Sequence, residues 1–474
     1  MHSIAIIGGG ITGLTAAYRL RQMNLPVTVY EASARLGGVI QSVEKDGYLA
    51  EFGPNTVLET SPKIVALIRD LGLESRRLYS NPAAGKRFLV RNRRLVNLPG
   101  SPFAFFATPL FSWSAKLRLL AEPFIRRSDP EIEESLADFV LRRIGREFLD
   151  YAINPFVAGV YAGDPARLSV KQAFPKLHAL EQKYGSLIKG QILGARERRR
   201  RAEVSKQNAP KFSFEHGLQE LIDALGRHLE GALQMRSRVT RLQRRGADWH
   251  VTVDGRDRAI PHAGVLLAAP AYRLAELKLE GADDLSLAPL GEIQYPPVAS
   301  VVLGFRREDV AHPLDGFGML IPAVEGFRIL GTIFSSSLFP HRAPSGHVTL
   351  TSYVGGTRSP ELAGRGGAEL AALVTEDLRV LLGVRGQPTF CHHVYYPRAI
   401  PQYEVGYSRF KQLMSNLEHQ APGLFFAGHY RDGISLGDSM ASGNDVAERI
   451  GPFLVKPGAT SVETAGGPSV PLHS

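Results

Sequence analysis

Gly8, Gly10 and Gly13 stand at the spacing G-x-G-x-x-G, directly after the apolar run Ser3 to Ile7 and before the helical pattern Leu14 to Met23. Each glycine has its own task in such a turn. The first permits the sharp turn, the second lets backbone approach a pyrophosphate, and the third lets helix and strand pack closely. The helix N-terminus, with Ile11 and Thr12 in its first turn, then offers unpaired N–H groups to phosphate charge. Val27 to Tyr30 reads as the next strand, and Glu31 closes it 18 positions after Gly13. A carboxylate there accepts hydrogen bonds from ribose hydroxyls and repels a 2′-phosphate. The chemistry indicated is dinucleotide binding, with NADP disfavoured. Ala32, Arg35, Gly37 and Gly38 follow. A basic residue and a second glycine pair can close over the pyrophosphate.

These residues need a frame. Strand, glycine turn, helix and strand open a parallel, doubly wound sheet. Ser61 to Leu71 predicts a helix, with Ser61 as N-cap and Pro62 in the first turn. Phe88 to Val96 predicts a hairpin, and Pro130 to Tyr151 a helix. Helices are also expected at Gly217 to Leu229, Ala368 to Leu382 and Asn444 to Ile450. Strands are expected at Val239 to Leu242, Trp249 to Val253, Val265 to Leu267 and, further on, Ser300 to Leu303, Met319 to Ile321, Ile329 to Ile333 and Val348 to Val354. Near the other end, Leu424 to Ala427 is a buried strand entering a turn at Gly428, with Asp432, Gly433, Gly437, Ser442 and Gly443 beyond it. From Lys456 the chain is rich in Pro, Gly, Ser and Thr, and disorder is expected.

Composition sets outer bounds. Of 474 residues, 44% are hydrophobic, enough for a large core, which excludes a wholly disordered chain. Lys plus Arg is 56 against 46 Asp plus Glu, a net charge of +10. That balance permits nucleic acid, an anionic membrane or an acidic small molecule as partner. The basic run Arg196 to Arg201 would suit a solvated helix face or an anionic lipid surface. No recognition motif accompanies it, so nucleic acid is not expected. Cys391 is the single cysteine; it allows neither an intrachain disulfide nor a Cys-rich metal site. His392 and His393 are adjacent and point to opposite faces of a strand, so no metal is expected. A strand pattern that starts within three residues of Met1 leaves no room for a targeting peptide. Leu98 to Ala115 is uncharged but holds Pro99, Pro102 and Pro109. It predicts no spanning helix, and leaves a one-leaflet contact open.

The Arg35-Leu36-Gly37-Gly38 extension and the C-terminal glycine segment resemble the FAD-binding signature of the amine oxidase superfamily of flavoproteins. The resemblance narrows at Glu51-Phe52-Gly53-Pro54-Asn55, at Asn154 to Pro165, at Gly316 to Pro322, at Leu330 to Ser336, at Tyr353 to Gly356, at Ala399 to Tyr403 and at His429 to Gly437. In this order the segments resemble the oxygen-dependent protoporphyrinogen oxidase family, across the chain to about residue 455. The resemblance implies a Rossmann-like α/β FAD domain, discontinuous over 1–84, 206–272 and 415–455. It implies a mixed-sheet α+β substrate domain over 85–97 and 273–414, and a helical membrane-associating insertion over 98–205, with 456–474 as a tail.

It also implies a non-covalent FAD. Gly53, Pro54, Asn55, Val239, Gly428, Ile434, Ser435 and Leu436 would join the N-terminal motif in holding it. The reaction implied is a six-electron oxidation of a porphyrinogen in three flavin cycles, each reoxidised by O₂ with release of hydrogen peroxide. Arg87 matches the family's arginine for a substrate propionate, a task suited to a planar guanidinium. Leu320 and Ile329 match an apolar clamp on a pyrrole ring, and Gly159 a position whose carbonyl faces the pyrrole nitrogens. Tyr353 stands where the family often has Phe. No residue is marked as a general acid or base. The rival substrate is coproporphyrinogen III, whose four carboxylates would suit Lys86, Arg91, Arg93 and Arg94; another reaction of the superfamily is a further alternative. The partners implied are a peripheral membrane surface on the cytoplasmic side, a homodimer and a ferrochelatase that takes the product.

Overall fold

The structure, a computed structural model, describes residues 3–455 apart from 130, 201–208, 257 and 282–284; the side chains of 195–200 and 455 are outside the description. The Arg196 to Arg201 side chains and the 456–474 tail therefore lie outside the described residues.

Ile4–Ile7 is the middle strand of a five-stranded parallel sheet. Val27–Tyr30 and then Leu233–Gln234 lie on one side, Gly264–Leu267 and then Leu424–Phe426 on the other. All four residues of Ile4–Ile7 are buried, because both faces of the sheet are covered, as a parallel sheet requires. Ile4 and Ile6 pack against Leu14, Leu221, Ile222 and Val446, which belong to the helices Ile11–Gln22, Gln219–His228 and Leu436–Val455. Ala5 and Ile7 face a second core with Trp249, Tyr403, Tyr407 and Phe410. Strand Lys211–Phe214 lies between Val57–Leu58 and Arg77–Tyr79, and so joins two distant stretches of chain. Ser61 caps Pro62–Asp70 as expected, accepting a hydrogen bond from the Lys63 N–H.

A seven-stranded mixed sheet forms the second unit. Its order is Phe390–Tyr396, Val298–Arg306, His347–Gly355, Ile329–Ile333, Gly316–Leu320, Lys86–Arg91 and Arg94–Asn97. The hairpin expected at Phe88 to Val96 is its edge. One face carries Ala299, Val301, Leu303 and Phe305 against the helix Gly367–Leu382. The other carries Val302 against Tyr48, Ala50 and Phe52, and Val298 against Ala158 and Ala162. A four-stranded sheet runs Ile260–His262, Asp248–Val253, Val239–Arg245 and Lys278–Glu280.

The helical insertion differs from expectation in one respect. The helix predicted over Pro130 to Tyr151 is broken into Leu136–Arg143, Arg146–Phe148 and the wider turn Leu149–Ile153. The break falls at Gly145, whose φ of 95° only glycine adopts readily. A buried ion network fixes the pieces. Arg143, fully buried, pairs with Glu122 at 3.0 Å and with Glu181. Glu122 also accepts the N–H groups of Leu187 (2.9 Å) and Ile188 (3.2 Å), at the start of helix Leu187–Arg200. A carboxylate at that end is favoured by the helix dipole.

Glu51 ties the first strands of the chain to a helix far along it. Its carboxylate accepts from Ser42 Oγ (2.7 Å) and from the Leu218 N–H (2.8 Å), and it is buried. Burial pushes its pKa up from 4.5 to about 7, against the pull of Ser42, the Leu218 N–H and Arg342. The folded state therefore holds a proton that the unfolded chain has already released. Its contribution is fully present below pH 4.5 and is lost as pH rises through about 7. The loss amounts to about 3 kcal/mol. Glu51→Gln is expected to flatten that part of the stability profile in urea unfolding measured from about pH 5 to about pH 8; an unaltered slope would contradict the assignment.

Candidate functional site

The N-terminal glycines meet the steric demands placed on them. Gly8 has φ 115°, and its N–H donates to Tyr30 O at 2.9 Å. A Cβ on Gly13 would lie 2.1 Å from Gly8 O, so only glycine lets helix Ile11–Gln22 approach the strand this closely. Gly10 is different. It caps that helix without a side chain, and a Cβ there would meet nothing within 4 Å. Its surroundings are open where a phosphate would approach the helix N-terminus. The Gly37 N–H donates to Gly9 O at 2.8 Å, and a Cβ on Gly38 would approach only the Gly10 Cα, at 3.6 Å. The second glycine pair thus lies over the first turn.

Glu31 organises both loops: its carboxylate accepts from the Gly9 N–H (2.8 Å) and the Ser33 N–H (2.7 Å). Ala32 is exposed beside it. The Ser237 N–H donates to Glu31 O (2.8 Å) and the Arg236 N–H to Ser33 O (3.0 Å), which brings the stretch before Val239 alongside Glu31. Val239 itself is buried at the start of its strand. Arg35 has partners within its own loop. Its guanidinium donates to Leu36 O, Ile40 O and Gly38 O, and so closes its own loop through backbone carbonyls.

The two glycine segments, expected to meet from opposite ends of the chain, do so. Thr12 Oγ1 donates to Ser439 O at 3.1 Å. A Cβ on Gly443 would lie 2.4 Å from Thr12 O, and one on Gly428 would lie 3.7 Å from Thr12 Oγ1. Gly428 has φ 125°, and its N–H donates to Ser442 Oγ. Ser435 Oγ accepts from the Asp438 N–H (3.1 Å) while Asp438 accepts from the Ser435 N–H (3.3 Å). This reciprocal cap opens the helix Leu436–Val455. Leu436 packs on the core of the parallel sheet, and Ile434 on two cores at once. Two helix N-termini therefore lie together, and the residues present fit the pyrophosphate of a dinucleotide flavin.

Buried tyrosines strap the C-terminal turn, and sequence reasoning missed their role. Tyr403 Oη donates to His429 O and accepts from the Gly433 N–H (3.0 Å). Tyr407 Oη donates to Tyr430 O at 2.6 Å, and Tyr430 Oη to Leu267 O at 2.6 Å. Burial raises the pKa of all three phenols, so they act as neutral donors. Burial also pushes His429 down to about 4, so its ring is neutral.

The substrate-side residues share one sheet face. Leu89, Leu320, Gly331, Tyr353 and Ser300 stand in one row across the strands. Arg87 is two residues before Leu89 and so points to the same side, opposite Gly318. A Cβ on Gly159 would lie 2.3 Å from Leu320 Cδ2, which places the helix Asn154–Tyr161 directly over this row. Gly53 packs tightly on Val39 O, and past Pro54 the Asn55 Nδ2 donates to Tyr353 Oη at 2.8 Å. Burial raises the Tyr353 pKa, with smaller contributions from Tyr396 and Glu51. Ile329 is placed elsewhere. It is fully buried on the helix-covered face, and its N–H donates to Asp377. The strand register shifts between Ile329 and Gly331, and this bulge turns Leu330 toward Ala158, Ala162 and Tyr353. Leu330 takes the place expected of Ile329, because an extra residue resets the alternation. The basic residues Lys86 and Arg91 are already paired, with Asp315 and Glu147, and Arg93 lies over Phe327.

Comparison with known proteins agrees with this geometry. The family model of flavin-containing amine oxidoreductases matches residues 11–451. Protoporphyrinogen oxidase 2 of Arabidopsis thaliana is 37% identical, over 95% of this chain and 94% of the relative. Coproporphyrinogen III oxidase of Bacillus subtilis (strain 168) is 31% identical, over 93% and 96%. The crystal structure of a candidate protoporphyrinogen oxidase from Exiguobacterium sp. 255-15 has a TM-score of 0.79 at 25% identity, covering 95% of this chain and 99% of that one.

The two glycines give opposite expectations. Gly13→Ala is expected to abolish flavin retention by disrupting the fold locally. Gly10→Ala, with open space around it, is expected to fold normally and to weaken FAD binding by about tenfold, roughly 1.4 kcal/mol. Thermal unfolding and visible flavin absorbance after desalting check both; equal behaviour of the two variants would refute the reading.

Proposed function

The chain belongs to the flavin-containing amine oxidoreductases and is an FAD-dependent oxidoreductase, and from that premise we propose that it oxidises protoporphyrinogen IX to protoporphyrin IX in heme biosynthesis. The observation that carries the proposal is the common face of Arg87, Leu320 and Tyr353 beneath Gly159, in a chain similar over nearly its whole length to a protoporphyrinogen oxidase. The segments around Gly10, Thr12, Gly428 and Ser435 would hold FAD, which would supply a hydride acceptor with O₂ as terminal oxidant and hydrogen peroxide as by-product, needed three times per porphyrin.

The chain's own residues bind, orient and exclude water. Arg87 holds a propionate through its planar guanidinium. Leu320 and Leu330 give the tetrapyrrole an apolar floor, and Gly331, having no side chain, lets Leu320 Cδ2 lie over it where a Cβ would be 3.2 Å away. The Gly159 carbonyl faces the pyrrole nitrogens. Tyr353, held neutral by burial and fixed by Asn55, presents an aromatic ring to the macrocycle. Oxidation of coproporphyrinogen III is the second reading, favoured by the Bacillus subtilis relative. The pairing of Lys86 and Arg91 removes two of the cations that spoke for it.

The same proposal assigns 1–84, 206–272 and 415–455 to the flavin, 85–97 and 273–414 to the substrate, and 98–205 to a membrane surface. No described helix is long and apolar enough to cross a membrane. The insertion nevertheless exposes Phe103 (85%), Trp113 (67%) and Phe124 (88%). Lys116 ties the helices bearing the first two by donating to Phe106 O and Thr108 O. Exposed aromatics on a basic protein suit a peripheral site on the inner face of an anionic membrane, where a ferrochelatase could take the product from this chain or its homodimer.

Porphyrin fluorescence from purified enzyme given protoporphyrinogen or coproporphyrinogen tests the substrate; faster turnover of the second would overturn the first reading. Arg87→Ala is expected to raise KM by about ten- to a hundredfold with kcat little changed, since it removes a charged hydrogen bond made in the ground state. An unmoved KM would refute the role. Replacing Phe103, Trp113 and Phe124 together by serine is expected to abolish cosedimentation with anionic liposomes while leaving oxidase activity intact. Undiminished liposome binding would exclude this face.

A further inference from the structure

Arg358 follows strand His347–Gly355 and runs beneath the helix that carries Gly159. The neighbouring Thr357 N–H donates to Ala162 O at 2.8 Å. Arg358 Nη2 donates to Ile321 O (2.9 Å) and to Asn154 Oδ1 (3.3 Å). Both acceptors are neutral. Both also belong to walls of the substrate face: Asn154 opens the Gly159 helix, and Ile321 follows Leu320. Nη1 is buried and meets no acceptor among the described residues. Desolvation alone acts on its pKa, pushing it down to about 10, so the group stays charged at neutral pH.

A buried charge without a counter-charge is costly, and a buried donor without an acceptor adds to that cost. Such a group calls for an explanation that the protein alone does not give. Among the described residues, Arg143 is matched by Glu122 and Glu181 and Arg431 by Glu418; Arg342, also buried, bonds only neutral oxygens but feels the charges of Glu51, Glu220 and Glu44. Arg358 is held in place by neutral acceptors and pairs with no acid among the described residues. Its position along the sheet is also specific. Arg87 lies opposite Gly318, and Ile321 is three residues farther along the same strand, about 10 Å away. Leu320 stands between them. The two cations therefore bracket the apolar floor.

We propose that Arg358 is a second carboxylate-binding residue of the substrate site, its Nη1 taking one oxygen of a propionate on a pyrrole ring other than the one held at Arg87. The inference rests on the porphyrinogen reading above and extends it: the substrate is gripped by two carboxylates, with the macrocycle between them. The neutral bonds to Ile321 and Asn154 hold the guanidinium in place, so a carboxylate that reaches Nη1 has only to displace the groups that cover it.

The test compares a porphyrinogen free acid with its methyl ester, using holoenzyme and the variants Arg358→Gln and Arg358→Lys. For the free acid, Arg358→Gln is expected to raise KM about ten- to a hundredfold, with kcat within about threefold. For the ester, which offers no carboxylate, KM should be the same in variant and unaltered enzyme. Arg358→Lys should restore part of the acid's affinity. An unmoved acid KM would overturn the proposal, and so would a parallel rise for acid and ester, because that pattern belongs to a residue that only holds the helix. Retention of flavin absorbance checks folding; should the Gln variant fail to fold, the Lys variant carries the same acid-to-ester comparison. Turnover by the unaltered enzyme is measured first. Its absence would overturn the porphyrinogen reading and this proposal together, whereas turnover with an unmoved acid KM overturns the Arg358 assignment alone.

Discussion

The approach of Gly443 to the carbonyl of Thr12 is the contact on which the rest depends. It lets two helices from opposite ends of the chain lie backbone to backbone, and it brings both N-termini to one place. Dispersion and hydrogen bonding act only at such short range. Any side chain at Gly443 would separate the helices and pull the Gly428 turn away from Thr12. The parallel sheet contributes by fixing the strands Ile4–Ile7 and Leu424–Phe426 on either side of Gly264–Leu267. The segments between them that the parallel sheet and its helices do not use are then free to form the second sheet and the insertion.

The second sheet solves a different problem. One face must be sealed to hold the unit together, and helix Gly367–Leu382 does this. The other must stay available beside the flavin motifs. Strand alternation divides the residues between the two faces, so Phe88 and Met319 go to the core while Arg87 and Leu320 go to the opposite face. The insertion then supplies the roof through Asn154–Tyr161, held by the ion network around Arg143. Charge burial on that scale is tolerable only because each carboxylate has several partners.

Much of this was legible in the sequence, and the parts that were not have physical causes. The glycine spacings and Glu31 announced the first βαβ unit, because steric needs at each position leave one residue type. The hairpin, the Ser61 cap and most strands followed from local pattern. Ile329 was misplaced because a bulge is a non-local adjustment between neighbouring strands, and no single strand's alternation reveals it. Arg35, read as closing over the pyrophosphate, also closes its own loop through backbone carbonyls that composition does not reveal. The Tyr403, Tyr407 and Tyr430 straps were invisible for a similar reason: their acceptors are backbone groups in other segments. The long helix predicted across residue 145 failed at a glycine whose conformation was set by packing against Arg118.

The bulge at Leu330 has a consequence for how this fold tolerates change. Two consecutive residues, Leu330 and Gly331, serve the same side of the strand, while Ile329 serves the other. Exchanging one aliphatic side chain for another there alters only volume. Removing Leu330 would straighten the bulge and empty its place on that face, whereas removing a residue elsewhere along the strand would rephase it and exchange the two faces. Along this strand the length of the segment is constrained more tightly than its lettering, so natural variation in the floor of the site should come as substitutions at fixed spacing.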